Sequence, residues 1–195
     1  MNKINLVGTC SDFLFDYEKF EEAFYRTYLT VKRTSGAVDV LPVIISERLL
    51  TRREKGMILK ITGEYRSCNY EEDGKWHTWL YVFAQNAEEL DEEEENNNEI
   101  YMEGFLCKLP KCRTTPLGKE ITDLLIASNR RFGKSDYIPC IAWGRNAAYA
   151  GKLTIGTPVK VTGRVQSRLY NKRISDTQCE ERVAYEVSIS SIKGE

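Results

Sequence analysis

The chain contains the same sequence unit twice, and this internal repeat constrains the fold more than any other feature. When residues 33–48 are aligned with residues 130–145, six of the sixteen positions are identical. When residues 56–70 are aligned with residues 156–170, six of the fifteen positions are identical. Unrelated windows of this length would share about one residue each, so the repeat predicts two homologous domains. The identical pairs are Arg33/Arg130, Gly36/Gly133, Asp39/Asp136, Pro42/Pro139, Ile44/Ile141, Arg48/Arg145, Gly56/Gly156, Lys60/Lys160, Thr62/Thr162, Gly63/Gly163, Ser67/Ser167 and Tyr70/Tyr170.

The net charge of -1 conceals three segments of unlike charge. Residues 1–87 contain 12 basic and 12 acidic residues, residues 88–99 contain eight acidic and no basic residues, and residues 100–195 contain 16 basic and nine acidic residues. A run of like charges repels itself and has nothing to bury, so we predict a solvated acidic linker over residues 88–98. The linker would separate a domain at 1–87 from a domain at 99–195. The positive charge of the second domain indicates a polyanionic partner. The linker is interpreted either as a spacer or as a nucleic-acid mimic that occupies this basic domain.

Each unit has the pattern of a small β-barrel. Val159, Val161 and Val165 alternate with polar neighbours, and this period of two predicts a strand with one apolar face. Five strands and one short helix in about 95 residues are typical of the OB-fold. We therefore predict an all-β chain of two tandem OB-fold five-stranded barrels, each with one short helix, joined by the acidic linker. An immunoglobulin-like sandwich is the alternative, but it needs about seven strands. In the second unit the further strands are predicted over 100–109, 119–129, 135–143 and 183–192, and the helix over 146–152.

The sequence contains no pattern typical of an enzyme, a metal site or a membrane protein. His77 is the only histidine, and none of the six cysteines forms a Cys-x-x-Cys pair, so neither a zinc site nor a histidine-based triad is predicted. The cysteines are predicted to be reduced thiols in the core. No apolar run reaches the roughly 18 residues of a membrane-spanning helix, and the first residues lack a secretory signal. We predict a cytoplasmic, non-enzymatic protein without cofactor or metal.

Four separated blocks of the second unit form a recognisable pattern. They are residues 99–106 (EIYMEGFL) with 115–120 (TPLGKE), 126–130 (IASNR), 137–147 (YIPCIAWGRNA) and 156–168 (GTPVKVTGRVQSR). In this order they resemble the bacterial single-stranded DNA-binding protein (SSB) family over residues 99–193. The resemblance is weaker in residues 1–87, where it comes mostly through the repeat. It implies that the aromatic side chains on which bases stack lie at or close to Phe132, Tyr137, Trp143 and Tyr170.

The chemistry of the residues agrees with this resemblance. Single-stranded nucleic acid needs cations along its phosphates and exposed rings for its bases, each stacked base contributing about 1–3 kcal/mol. By strand parity, Tyr137 and Trp143 lie on one face of a strand. The alternative is that these rings belong to the core and that Arg164 and Arg168 form a solvated face. The predicted cations are Arg130, Arg131, Arg145, Lys160, Arg164, Arg168, Lys172 and Arg173.

The first unit lacks most of this predicted site. Opposite Phe132, Tyr137 and Trp143 it has Ser35, Val40 and Ser46, and opposite Lys172 and Arg173 it has the acidic run 71–73. We therefore interpret it as a degenerate OB domain for assembly or partner contact. The rings at 76, 79 and 81 could form an alternative stacking surface, although packing within a hairpin is the favoured interpretation.

The predicted function is sequence-independent binding of single-stranded DNA, which coats and protects unwound DNA in replication, recombination or repair. By analogy with family members that assemble four OB folds, two folds per chain predict a homodimer. Replication or repair proteins are further predicted partners. An OB-fold RNA binder and a protein-interaction or primosomal accessory module remain the alternatives.

Overall fold

Strands make up most of the computed structural model, which describes residues 1–92, 97–115, 117–173 and 179–194. Across these residues twelve strands form one continuous sheet. The first unit contains β1 (Asn2–Cys10), β2 (Leu14–Glu18), β3 (Ala23–Lys32), β4 (Val38–Ser46), β5 (Ile58–Glu72) and β6 (Lys75–Leu90). The second unit contains β7 (Asn98–Leu106), β8 (Lys111–Thr114), β9 (Glu120–Asn129), β10 (Ser135–Trp143), helix α1 (Arg145–Ala150), β11 (Pro158–Arg173) and β12 (Cys179–Gly194).

Each unit closes five of its strands into a barrel. In the first unit the strand order β3-β4-β6-β5-β1 is closed by pairing of β1 with β3, where Thr9 lies opposite Thr30. In the second unit the order β9-β10-β12-β11-β7 is closed by pairing of β7 with β9, where Phe105 lies opposite Ala127. The predicted all-β fold of two OB-type barrels is therefore confirmed. The short edge strands β2 and β8, which lengthen each sheet beyond five strands, were not predicted.

The short helices of the two units differ in type. A three-residue 3-10 turn (Glu47–Leu49) stands where the second unit has α1. Each unit therefore contains one short helix, as predicted, of the 3-10 type in the first unit and of the α type in the second. The reason lies in the loop length, because the shift from a 97-residue to a 100-residue repeat offset gives the second unit three more residues at this point. These residues complete the additional turn.

The segment between the units that lies outside the strands is shorter than the predicted linker. Strand β6 continues to Leu90, which pairs with Ile58 on β5, so the run begins within a paired strand. Strand β7 begins at Asn98. The central part of the predicted linker, residues 93–96, lies outside the described residues. Its role as spacer or mimic stays a prediction.

Strands β1 and β7 join the two units about an approximate two-fold axis. They pair antiparallel, and Ile4 lies opposite Ile100, its own equivalent in the repeat. The side chain of Asn2 donates to Tyr65 O (2.6 Å) and accepts from Tyr65 N (3.1 Å). The equivalent Asn98 donates to Val165 O (2.7 Å) and accepts from Val165 N (3.0 Å). The halves of the repeat are thus related by symmetry in space as well as in sequence.

One glycine in each unit allows a long strand to bend. The pairing register of β5 with β6 shifts between Thr62 and Gly63, and that of β11 with β12 shifts between Thr162 and Gly163. A β-carbon on either glycine would overlap a carbonyl oxygen of the partner strand. These bulges let β5 and β11 serve both sides of their barrels. Among the described helices, none is long and apolar enough to cross a membrane.

Candidate nucleic-acid interface

Two of the predicted rings project from the outer face of strand β10. Tyr137 is 46% exposed and Trp143 is 37% exposed, whereas Ile138, Cys140 and Ala142 between them are buried in the barrel. The alternation follows from the pleat of the strand, which sends successive side chains to opposite faces. The two rings are therefore not part of the core. About six residues separate them, which corresponds to roughly 20 Å along the strand.

The third predicted ring, Phe132, lies in the turn that precedes β10. It is 97% exposed, and its backbone has φ 64° and ψ 34°. A left-handed conformation is uncommon for a bulky residue, and it points the ring outward from the turn Arg131–Gly133. The turn is closed by a hydrogen bond from Arg130 N to Lys134 O (2.7 Å). Strain at an exposed aromatic residue supports a functional rather than a packing role.

The fourth ring, Tyr170, lies with Arg168 on the outer face of β11. Tyr170 is 38% exposed, and the Arg168 guanidinium carbon is 5.9 Å from its ring centroid. Arg168 Nε is also 3.5 Å from Glu186 Oε1 on the adjacent strand β12. The same oxygen of Glu186 accepts a hydrogen bond from Gln166 Nε2 (2.8 Å). Part of the charge of Arg168 is therefore balanced within the unit.

Four further predicted cations are exposed at the ends of these elements. Arg131 lies beside Phe132, and Arg145 begins helix α1 directly after the end of β10. Lys172 and Arg173 end the described part of β11. These side chains flank the exposed rings without entering the core.

The remaining three predicted cations have other neighbours. Arg130 Nε is 3.0 Å from Asp136 Oδ2. Arg164 Nη1 is 3.8 Å from Asp39 Oδ2 of the first unit, and burial lowers the pKa of Arg164, with nearby Arg33 adding to the effect. Lys160 lies opposite Glu103 on β7. The structure therefore leaves the four rings and five of the predicted cations on exposed parts of β10, β11 and the turns beside them. It places Arg130 and Arg164 beside buried carboxylates at the contact between the units.

The ends of the two long hairpins face each other across a groove of about 230 Å³. The β5–β6 hairpin contributes two acidic side chains, Glu72 and Asp73, and the β11–β12 hairpin contributes Lys172, Arg173 and Arg182. The acidic run that the repeat aligned with the basic loop therefore lies beside that loop in space. Opposite charges that share one groove attract each other, so the carboxylates offset part of the positive charge of Lys172 and Arg173.

The outer face of the first unit is covered by its own side chains. Trp79 and Tyr81 stack with ring centroids 4.4 Å apart, and the Arg26 guanidinium lies 4.8 Å from the Trp79 ring. Arg66 lies 3.8 Å from the ring of Phe83. Burial raises the pKa of Tyr81. Trp79 and Tyr81 thus pack within the face, as the favoured interpretation predicted. For Trp76 that interpretation is wrong, because its ring is 74% exposed at the end of the hairpin.

Sequence reasoning missed the other members of this aromatic layer. Phe83 also lies 5.9 Å from Phe24 on β3, which in turn stacks on Tyr17 of β2 at 4.7 Å. The alternation of β3 and β6 would have placed Phe24 and Phe83 on the same outer face. The edge strand β2, in contrast, had no counterpart in the predicted barrel.

Metal and disulfide chemistry find no support in the described residues. Within them, no group of three or more His, Cys, Asp or Glu side chains could hold a metal ion. All six cysteines are free thiols, but only Cys10 and Cys140 are buried, so the prediction that they lie in the core is wrong for the others.

Comparisons with known proteins agree with this geometry. Residues 97–193 match the family model of the single-strand binding protein family. "Single-stranded DNA-binding protein 2" of Streptococcus agalactiae serotype III is 35% identical over 82 residues, which are 38% of this chain and 63% of that protein. "Single-stranded DNA-binding protein B" of Bacillus subtilis is 32% identical over 83 residues, which are 37% of this chain and 71% of that protein. The chain thus spans less than two thirds of the Streptococcus relative.

A solved structure resembles the whole chain. The single-stranded DNA binding protein from Thermus aquaticus has a TM-score of 0.76, with 22% sequence identity, over 100% of this chain and 93% of that one. At this identity the likeness shows the fold, and it extends over both barrels. Because a Bacillus relative above 30% identity is covered over more than two thirds of its length, the sequence relationship goes further than fold. The chain belongs to the single-strand binding protein family.

Proposed function

We propose that this protein binds single-stranded DNA in the cytoplasm without sequence preference and coats unwound DNA in replication, recombination or repair. The observation that carries the proposal is the exposure of Tyr137 and Trp143 on one face of β10, where core rings would be buried. Every base offers a flat face to such rings, so stacking provides affinity without reading sequence. The binding is non-catalytic and needs no cofactor.

The proposal assigns bases and phosphates to different side chains. Phe132, Tyr137, Trp143 and Tyr170 stack on bases. Arg131, Arg145, Arg168, Lys172 and Arg173 hold phosphates. Arg130 and Arg164 are withdrawn from the phosphate set, because each lies beside a buried carboxylate. Lys160 remains a weaker candidate, since Glu103 lies opposite it on β7.

A fluorescence titration with oligo(dT) tests the proposal directly. Stacking of bases on Trp143 is expected to quench tryptophan emission, and affinity is expected to fall steeply with salt because bound cations are released from the DNA backbone. Tighter binding of a matched RNA oligonucleotide would favour an RNA binder. Absence of quenching and of binding would favour a protein-interaction module and overturn the proposal.

We expect Lys172→Ala combined with Arg173→Ala to reduce the salt dependence of binding. Each phosphate contact on a single strand contributes about 0.7 to the slope of log affinity against log salt, so the double variant should lower its magnitude by about 1.4. Anisotropy of a labelled oligo(dT) at several salt concentrations measures this slope. Lys3→Ala combined with Lys19→Ala, exposed lysines of the first unit, should leave it unchanged. An unchanged slope in the first pair would remove Lys172 and Arg173 from the interface.

We expect Glu72→Gln combined with Asp73→Asn to tighten binding. The two carboxylates share a groove with Lys172 and Arg173, so removing their charge leaves these cations to the phosphates. The gain should be about two- to fivefold at low salt and should shrink at high salt as screening increases. Glu18→Gln combined with Glu21→Gln changes net charge equally elsewhere in the first unit. An equal gain in that control would show a general charge effect rather than local competition.

The proposed assembly is a homodimer with four OB folds, in which the first unit contributes to assembly or partner contact. Its outer face carries rings that already contact each other, which leaves it less suited to stacking on bases. Sedimentation of the full chain measures the assembly, and a monomer mass at all concentrations would contradict it. Replication or repair proteins are the proposed partners.

A further inference from the structure

A polar cluster joins the first unit to the segment that carries two of the proposed stacking rings. Asp136 is fully buried at the start of β10, and its Oδ1 accepts a hydrogen bond from Ser67 N on β5 of the first unit (2.7 Å). The Ser67 hydroxyl oxygen accepts a hydrogen bond from Tyr137 N (2.9 Å). Asp136 Oδ2 faces Arg130 Nε at 3.0 Å. The first unit therefore contacts the backbone of Tyr137 itself.

The same cluster fixes the turn that presents Phe132. Arg130 and Asp136 lie on either side of this turn, so their ion pair closes it at its base. Arg130 N donates to Lys134 O (2.7 Å), which closes the turn through the backbone as well. Burial raises the pKa of Asp136, whereas the Ser67 amide and Arg130 oppose this rise by stabilising the carboxylate. A buried carboxylate is costly unless it is paired, so the cluster holds together as a group.

The two-fold repeat provides an equivalent cluster with a different outcome. Asp39 Oδ1 accepts a hydrogen bond from Ser167 N (2.7 Å), and Ser167 Oγ accepts one from Val40 N (3.0 Å). Arg33 Nε donates to Asp39 Oδ2 (2.7 Å). Each unit thus contributes one serine that forms hydrogen bonds with the other unit. Only one of these serines holds the backbone of an aromatic residue, because Val40 stands where the second unit has Tyr137.

We propose that Ser67 of the first unit is a positioning residue for single-stranded DNA binding by the second unit, acting with Asp136 and Arg130 to hold the Phe132–Tyr137 segment. The inference rests on the proposed function, since it needs the ring of Tyr137 to stack on a base. It means that the first unit helps to shape the DNA interface of the second unit without contacting DNA itself. It also gives a role to the Arg, Asp and Ser pairs that are identical in the repeat.

The experiment compares Ser67→Ala with its symmetry-related control, Ser167→Ala, in the full chain. Each variant removes one hydroxyl from the inter-unit contact, so similar losses of thermal stability are expected. In Ser67→Ala the Tyr137 amide loses its buried acceptor. We expect its hydrogen exchange, followed by NMR, to accelerate about tenfold or more, while the Val40 amide is unaffected. In Ser167→Ala we expect hydrogen exchange of the Val40 amide to accelerate, while the Tyr137 amide is unaffected.

Affinity for oligo(dT) then separates positioning from stability. Ser67→Ala should weaken binding about three- to tenfold, and Ser167→Ala less than about twofold. In a background that carries both Phe132→Ala and Tyr137→Ala, the effect of Ser67→Ala should fall below about twofold, because the two rings through which it acts are gone. Ser67→Thr keeps the hydroxyl and should restore binding. Equal weakening by the two serine variants, or an undiminished effect in the background without both rings, would overturn the inference.

The design also separates this inference from the proposed function. Wild-type affinity in Ser67→Ala, together with weak binding in Tyr137→Ala, would overturn the positioning role alone. Wild-type affinity in Tyr137→Ala combined with Trp143→Ala would overturn base stacking by the second unit, whatever the serine variants show. Unchanged exchange at the Tyr137 amide in Ser67→Ala would contradict the hydrogen bond independently of DNA.

Discussion

Replacing Tyr137 and Trp143 together with alanine is expected to weaken binding of oligo(dT) about thirtyfold or more. Each stacked base contributes about 1–3 kcal/mol, and a loss of about 1.4 kcal/mol corresponds to a factor of ten. Both rings lie on the outer face of β10, whose inward residues Ile138, Cys140 and Ala142 build the core, so the substitutions should not unfold the barrel. Anisotropy of a labelled oligonucleotide is the appropriate measurement, since Trp143 itself is removed.

The control for this prediction is Trp76→Ala. Trp76 is a highly exposed ring of the first unit, at the end of the β5–β6 hairpin, and lies outside the proposed stacking set. Its removal should change the affinity less than about twofold. If Trp76→Ala weakened binding as much as the double variant of β10, the interface would lie on the first unit and the assignment would be reversed.

The second large effect is expected from Gly163→Ala, which should lower the free energy of unfolding by about 3 kcal/mol. At the bulge of β11 a β-carbon would lie 2.3 Å from Ser188 O and 3.2 Å from Ile189 Cα of the partner strand. Backbone atoms of a paired strand cannot move aside as a flexible side chain does. For a chain of this size the loss corresponds to a lower melting temperature by about 6–12 °C, measured by calorimetry.

Gly156→Ala is the matched control for this effect. Gly156 has φ +85° with open space around it, so an alanine there is strained in its backbone without meeting any neighbour. It should cost about 1 kcal/mol. Gly63→Ala, the equivalent of Gly163 in the first unit, should match the larger loss because Phe83 O blocks its β-carbon in the same way. A smaller cost for Gly163→Ala than for Gly156→Ala would show that β11 can relax at its bulge.

The sequence was sufficient to predict the barrels and the side of the sheet on which the rings lie. Identity at paired positions such as Gly63/Gly163 predicted equivalent units, because a bulge that needs glycine imposes the same requirement in both. The period of two in β10 placed Tyr137 and Trp143 on one face, since strand geometry alone decides this. Exposure then followed, because the intervening apolar residues fill the barrel.

The contacts between the units could not be predicted in the same way. A repeat shows which residues are equivalent, but not which ones meet across the axis that relates the copies. Arg130 was therefore assigned to phosphates, although its partner is the buried Asp136. Arg164 was also predicted to bind phosphates, although Asp39 of the other unit lies beside it. The identical pairs Arg33/Arg130, Asp39/Asp136 and Ser67/Ser167 were the available signal, since a degenerate first unit had no reason to keep phosphate ligands.

The pairing of β1 with β7, in which Ile4 lies opposite Ile100, determines whether the contact between the units survives at low protein concentration. Two separate chains that met through such strands would come apart on dilution, whereas here one polypeptide supplies both and the contact forms at a fixed effective concentration. Each side of the contact is also encoded separately, so a substitution in one copy is not forced upon the other. The second barrel can therefore keep exposed rings, while the first barrel covers the equivalent face with its own side chains and carries acidic residues opposite the basic ones.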